Sequence, residues 1–153
     1  MFKFTPKLNQ ETKNIIENRE QLKELANCYG SPLNILFPNV MDKNISNFKE
    51  TLKKHHLSGK IYYAHKCNKS NSFLKQALQN QINVDVASLE ELKSALSNGF
   101  TGDKIEATGP KNDDFIILGI RHNIIFNVDN LEEIKKINES YNFVQLINSN
   151  ESI

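Results

Sequence analysis

Cysteine is scarce in this chain, neither sign of charge is in excess, and long apolar runs are missing. Its two cysteines, Cys28 and Cys67, fall in no metal-ligand spacing and offer no disulfide framework, so both are expected to be reduced thiols. With 19 basic and 18 acidic residues the formal charge is +1, which argues against nucleic acid or an anionic membrane as the main partner. The one basic cluster, Lys53-Lys54-His55-His56, reads as the solvated end of a helix. No apolar stretch approaches the roughly 20 residues of a membrane span. The opening MFKFTPKLNQETK has no apolar signal core, so a cytoplasmic protein is expected. Low-complexity tracts are missing too. The 153 residues are about one domain's length, enough for a core that could hold up alone.

From residue 60 onward, strand-like and helix-like segments alternate. Lys60 to Ala64 is apolar and aromatic, which suits a strand. Ser70 to Gln79 follows with Phe73, Leu74, Ala77 and Leu78 at helical spacing. Val84 to Ala87 is a short strand, and Ser88-Leu89-Glu90-Glu91 is a capping box opening a helix that Asn98-Gly99 ends. Lys104 to Ala107 reads as a strand, Thr108-Gly109-Pro110 as a turn, and Asn112 to Leu118 as a short helix. Asn123 to Val128 is the next strand. Asp129 is placed to cap a helix with apolar positions at Leu131, Ile134 and Ile137, Glu132 completing a second box. Tyr141 to Ile147 reads as a fifth strand.

Such alternation implies parallel strands joined by crossover helices. The spacing suits an α/β fold, either an open doubly wound sheet or a βα barrel. A closed barrel needs eight units and about 250 residues; five strands are a little over half of one. Before residue 60 the pattern predicts a helix from Glu11 to Asn27, a turn at Tyr29-Gly30-Ser31-Pro32, a strand from Leu33 to Phe37 and a helix from Val40 to His55. Two parts follow: residues 1–38 as an N-terminal helix and strand segment, and residues 39–153 as an incomplete N-terminal part of a βα barrel.

Ile61-Tyr62-Tyr63-Ala64-His65-Lys66-Cys67-Asn68 carries the chemistry. It is a short strand that ends on a lysine and breaks into a polar loop. At the C-terminal mouth of a barrel strand, such a lysine can bond an aldehyde cofactor. Strand alternation would put Ala64 on the side of Lys66, leaving room for a cofactor ring, and Tyr63 and His65 on the helix side. His65 reads as a packed residue rather than a base, Cys67 as a loop thiol and Lys111 as a solvated helix start. Asp85 could cap the helix that follows it, although Ser88 is better placed for that.

Four phrases occur in a telling order: Tyr29-Gly30-Ser31-Pro32-Leu33, Tyr63-Ala64-His65-Lys66-Cys67-Asn68, Val84-Asp85-Val86-Ala87-Ser88-Leu89-Glu90-Glu91-Leu92 and Thr108-Gly109-Pro110-Lys111. Together with Asn127-Val128-Asp129-Asn130-Leu131-Glu132-Glu133-Ile134, they resemble the fold-type III, pyridoxal-phosphate-dependent decarboxylases of ornithine, diaminopimelate and arginine or lysine. The resemblance implies an alanine racemase-like (β/α)8 barrel of which this chain holds about five of eight strands. It implies pyridoxal 5'-phosphate as cofactor, an amino-acid substrate, a homodimer in the full-length form, and a place in polyamine or lysine biosynthesis. By the same resemblance Lys66 is the catalytic, cofactor-bonding lysine, and Asp85 helps to shape the cofactor pocket.

Departures accompany the matches. The family's ring-stacking histidine, Gly-rich phosphate loop, ring-pairing glutamate and β-rich second domain would all lie downstream of Ile153. The arginine of an LRIN-like phrase falls on Leu146 of Gln145-Leu146-Ile147-Asn148. The chain is therefore expected to be a truncated or fragmentary form. Other readings stay open: a non-catalytic truncated relative that binds or regulates, a racemase, or a single-domain pyridoxal-phosphate carrier of the same barrel type.

Overall fold

Four short strands lie side by side in the order in which they occur in the chain. A computed structural model describes residues 8–150, with side chains described as far as Gln145. The strands are β1 (Tyr62–Ala64), β2 (Asn83–Val86), β3 (Ile105–Ala107) and β4 (Ile125–Phe126), all parallel, in the order β1-β2-β3-β4. Helices α4 (Asn71–Gln79), α5 (Leu89–Ser97) and α6 (Asp113–Arg121) make the three crossovers, and α7 (Leu131–Asn150) follows β4. A doubly wound sheet reverses its strand order at a switch point. Here the order never reverses, which is the winding of a βα barrel. The fold is thus α/β with part of a barrel.

The helices cover one face of the sheet. Val84 and Val86 of β2 and Ile105 and Ala107 of β3 are fully buried against Leu74, Ala77, Leu92, Ala95 and Phe115. Each such aliphatic or aromatic side chain contributes roughly 1.5–3 kcal/mol by leaving water. The residues between them, Asp85 and Glu106, point to the other face and are only half buried. A strand covered by apolar layers on both sides would be apolar throughout; this sheet reserves its inner face for polar groups.

Local signals open and close the helices. Ser70, Ser88 and Asn112 accept hydrogen bonds from the first-turn amides of Ser72, Glu91 and Phe115. Gly99, at φ +97°, turns the chain after α5. A short 3-10 turn at Gly102–Lys104 then brings the chain against the end of α6. A Cβ at Gly102 would overlap the backbone carbonyl of His122, which no rotamer change relieves. Gly102→Ala is therefore expected to destabilise the fold by about 1–3 kcal/mol, measured as a lower urea midpoint with an unchanged slope.

Several expected elements differ. The helix predicted over Glu11 to Asn27 is two, α1 (Gln10–Glu17) and α2 (Arg19–Tyr29). Asn18 breaks it: its N–H closes α1 on the Asn14 carbonyl, and its side chain caps α2 at Gln21. Leu33 to Phe37 pairs with no strand, so the segment before α3 (Asn39–Lys54) holds helices and a loop.

The predicted fifth strand, Tyr141 to Ile147, is helical and continues α7; the sheet has four strands among the described residues. Glu133, Ile137, Ser140 and Val144 recur at helical spacing along the covered side of α7. Val144, 2% exposed, packs with Ile116 and Ile120 of α6. Leu131 and Ile134, expected to face inward, are 75% and 50% exposed. The side chains of Leu146, Ile147 and Asn148 and the tail Glu151–Ile153 lie outside the described residues. No helix among the described residues is long and apolar enough to cross a membrane.

Candidate functional site

The strands end together at Ala64, Val86, Ala107 and Phe126, and the sequence-predicted site residues gather at this end. Lys66 sits in a 3-10 turn, His65–Cys67, that starts directly after β1. The turn interrupts the pleat, so strand alternation does not set the direction of Lys66. Its side chain is exposed, with no hydrogen bond or ion pair among the described residues. Ala64, two residues earlier, is the ladder partner of Asp85. Asp85 does not cap α5, a role taken by Ser88; its Oδ1 accepts a 2.6 Å hydrogen bond from Thr108 Oγ1, just past the end of β3.

The turn bearing Lys66 is held from below. The Tyr63 hydroxyl donates to the Asn68 carbonyl at 2.8 Å, the Asn68 N–H donates to the His65 carbonyl, and Asn68 Oδ1 accepts from Ser70 N–H. Burial chiefly, with the Cys67 thiol and Glu91 nearby, pushes the Tyr63 hydroxyl up to about 12, so it stays a neutral donor at ordinary pH. Lys69, three residues from Lys66, is engaged at 3.1 Å by the buried Glu91 carboxylate, which also accepts the Ala87 N–H. The capping box at α5 thus closes on Ala87, one residue earlier than predicted. Cys28 and Cys67 are free and exposed.

His65 is 1% exposed, and its Nδ1 has no partner among the described residues. Burial pushes the imidazole down from its ordinary value, against a smaller opposing pull from Glu91. The folded state therefore takes a proton less readily than the unfolded chain, and His65 costs stability as pH falls below the unfolded value of about 6.5. Melting temperatures from pH 7.5 to 5 should fall in the natural chain and fall less in His65→Leu; parallel curves would contradict this.

A second polar cluster was not visible in the sequence. Lys111, read as a solvated helix start, has a fully buried side chain. Its Nζ donates to the Gly109 carbonyl at 2.7 Å, the Asn127 carbonyl at 2.6 Å and the Glu133 carboxylate at 3.2 Å. Glu133 also accepts the Asp129 N–H at 3.0 Å, while Asn130, not Asp129, caps α7. The second box is thus shifted by one residue, and Glu133 rather than Glu132 closes it. Burial pushes the Glu133 carboxyl up, but the hydrogen bonds from the Asp129 amide and from Lys111 outweigh it and hold the group below the ordinary glutamate range. A cavity of about 200 Å³ between Lys49, Ile61, Asn83 and Lys104 lies at the opposite end of the strands, where barrel folds do not place their chemistry.

Comparison with known proteins falls on this same region. The family described as "Pyridoxal-dependent decarboxylase, pyridoxal binding domain" matches residues 40–148. An uncharacterised protein of Sinorhizobium fredii, y4yA, is 36% identical over 117 residues, covering 76% of this chain and 26% of that protein. The diaminopimelate decarboxylase of Bacillus subtilis is 29% identical over 112 residues, 72% of this chain and 26% of the enzyme. The crystal structure of the diaminopimelate decarboxylase of M. jannaschii superposes with a TM-score of 0.69 at 30% identity, over 80% of this chain and 30% of that one. The chain spans about a quarter of the length of the curated relatives it matches.

Proposed function

From the premise that the chain belongs to the pyridoxal-dependent decarboxylase family, through that family's pyridoxal-binding domain, we propose that its sheet end forms one wall of an amino-acid decarboxylase site. The substrate class is diaminopimelate or a basic amino acid. The cofactor is pyridoxal phosphate, and the residues present suit it: a primary amine with no competing partner among the described residues and a carboxylate already oriented by a hydroxyl lie at the same end of the sheet. In this reading Lys66 would hold the cofactor through its aldehyde, and Asp85, steadied by Thr108, would border it. When bound, the cofactor supplies an electron sink for loss of the substrate carboxylate.

The observation that carries the reading is the unpaired Lys66 at the C-terminal end of a singly wound parallel sheet, two residues past the ladder partner of Asp85. Its neighbours are not equivalent: Lys69 is tied to Glu91 and Lys111 is buried and saturated. Residues 39–153 form the barrel portion in this proposal, residues 1–38 a segment preceding it, and the full-length form is a homodimer.

The test is release of carbon dioxide by the cofactor-loaded full-length form from diaminopimelate, lysine, arginine and ornithine, each in turn. Release from one of them is expected. Retained cofactor with no release from any would overturn the decarboxylase reading in favour of a binding or regulatory protein.

A further inference from the structure

Building on that reading, we propose that Lys111 is a positioning residue whose buried ammonium fixes the two side chains that orient Asp85 and Glu106 on the inner face of the sheet. Asp85 and Glu106 are ladder partners on β2 and β3, so their side chains leave the sheet on the same face, next to each other. Each carboxylate receives a hydrogen bond from the residue just past the neighbouring strand. Thr108 Oγ1 donates to Asp85, and Asn127 Nδ2 donates to Glu106. The Lys111 ammonium holds the backbone of one donor and of the residue next to the other. It bonds the carbonyl of Asn127 itself and that of Gly109, the residue after Thr108.

The donor count closes. A lysine ammonium has three protons, and Lys111 meets three acceptor groups: two carbonyls and the Glu133 carboxylate. With its side chain fully buried, the amine is not available to a substrate or an aldehyde. What remains is geometry. Gly109 adopts φ +69°, a left-handed turn in which a side chain is strained. Glu133 sits in the first turn of α7 and takes the Asp129 N–H, so the ammonium joins the loop after β3, the end of β4 and the start of α7. Two carboxylates held side by side and half exposed suit a positively charged ligand group, and they keep that arrangement only if both donors stay in place.

Removing Lys111 alone leaves Glu133 buried without its ammonium and risks unfolding. The test therefore uses Lys111→Met combined with Glu133→Leu, which leaves no orphaned charge, alongside Thr108→Val. The first readout needs no cofactor: carbodiimide labelling of Asp85 and Glu106 under native conditions, quantified by mass spectrometry. Labelling of both carboxylates is expected to rise about fivefold in the Lys111/Glu133 variant, the factor corresponding to one ordinary hydrogen bond. In Thr108→Val that of Asp85 alone should rise. Combining the variants should raise Asp85 no further than Thr108→Val does, because both cut one chain of contacts; a merely structural role for Lys111 would add.

The second readout is pyridoxal phosphate affinity, expected to fall about tenfold in the Lys111/Glu133 variant. Unmoved labelling with normal cofactor uptake would overturn the positioning role. Labelling as expected, in a chain that takes up no pyridoxal phosphate, would sustain it and defeat the cofactor reading instead.

Discussion

Lys66→Ala is expected to abolish covalent uptake of pyridoxal phosphate while leaving the fold intact. A primary amine condenses most readily with the cofactor aldehyde when it is accessible and not already engaged, and at this end of the sheet Lys66 is the lysine so placed. Lys69 is paired with Glu91 at 3.1 Å, and Lys111 is buried under three acceptor groups. Because Lys66 is exposed and makes no hydrogen bond or ion pair among the described residues, its loss should change stability by no more than about 0.5 kcal/mol. Lys66→Arg should fail as completely, since it keeps the charge but not the amine chemistry. The check is intact mass after borohydride reduction, with circular dichroism to confirm the fold. Undiminished uptake by Lys66→Ala would remove the basis of the assignment.

The second large effect belongs to the buried pair. Lys111→Met should cost about 3–5 kcal/mol, because it leaves the Glu133 carboxylate buried with only the Asp129 amide as partner. Against a total of roughly 5–15 kcal/mol for a domain, that loss is enough to unfold part of the population. The Lys111→Met, Glu133→Leu double variant should recover much of it, though not all, since the Gly109 and Asn127 carbonyls lose a donor. Acid gives the same contrast. The folded-state value of Glu133 is depressed, so its contribution is full above the ordinary glutamate value of about 4.3 and fades as pH falls through the lower folded value. Urea unfolding at pH 7 and pH 3 should show a larger loss for the natural chain than for the double variant; equal losses would contradict the role of the pair.

Elements were legible where one local signal dominated. The apolar runs around Tyr62, Val84, Ile105 and Ile125 became strands, and Ser88 became a cap, because both signals act over a few residues. Tyr141 to Ile147 was misread because its residues are β-prone and alternate. Val144 also lies seven residues after Ile137, and its packing on Ile116 and Ile120 decides for the helix. Asn18 gave no warning of a break, since asparagine also lies within the helices of this chain, as at Asn14, Asn44 and Asn47. Leu33 to Phe37 had strand composition but finds no strand to pair with.

The site was half legible. Lys66 and Asp85 were singled out from a phrase and a resemblance, and the structure brings them to one end of the sheet. The Lys111–Glu133 pair was not legible, because its members are 22 residues apart and a lysine after a Gly-Pro turn reads as solvated. Thr108, Asn127 and Glu106 were hidden for the same reason: their partners lie on other strands, and only the parallel register brings them together. The two capping boxes show the limit of pattern reading: at α5 the pattern found both members but not the amide that the glutamate reaches, and at α7 it picked Asp129 and Glu132 where Asn130 and Glu133 act.

The most direct measurement is to incubate the chain with pyridoxal phosphate, reduce with borohydride, digest, and map the adduct by mass spectrometry. A single modified residue, Lys66, is the predicted result and would mean that the end of the sheet that holds Asp85 already presents one reactive amine. Adducts spread over many lysines, or none at Lys66, would contradict the assignment of this site.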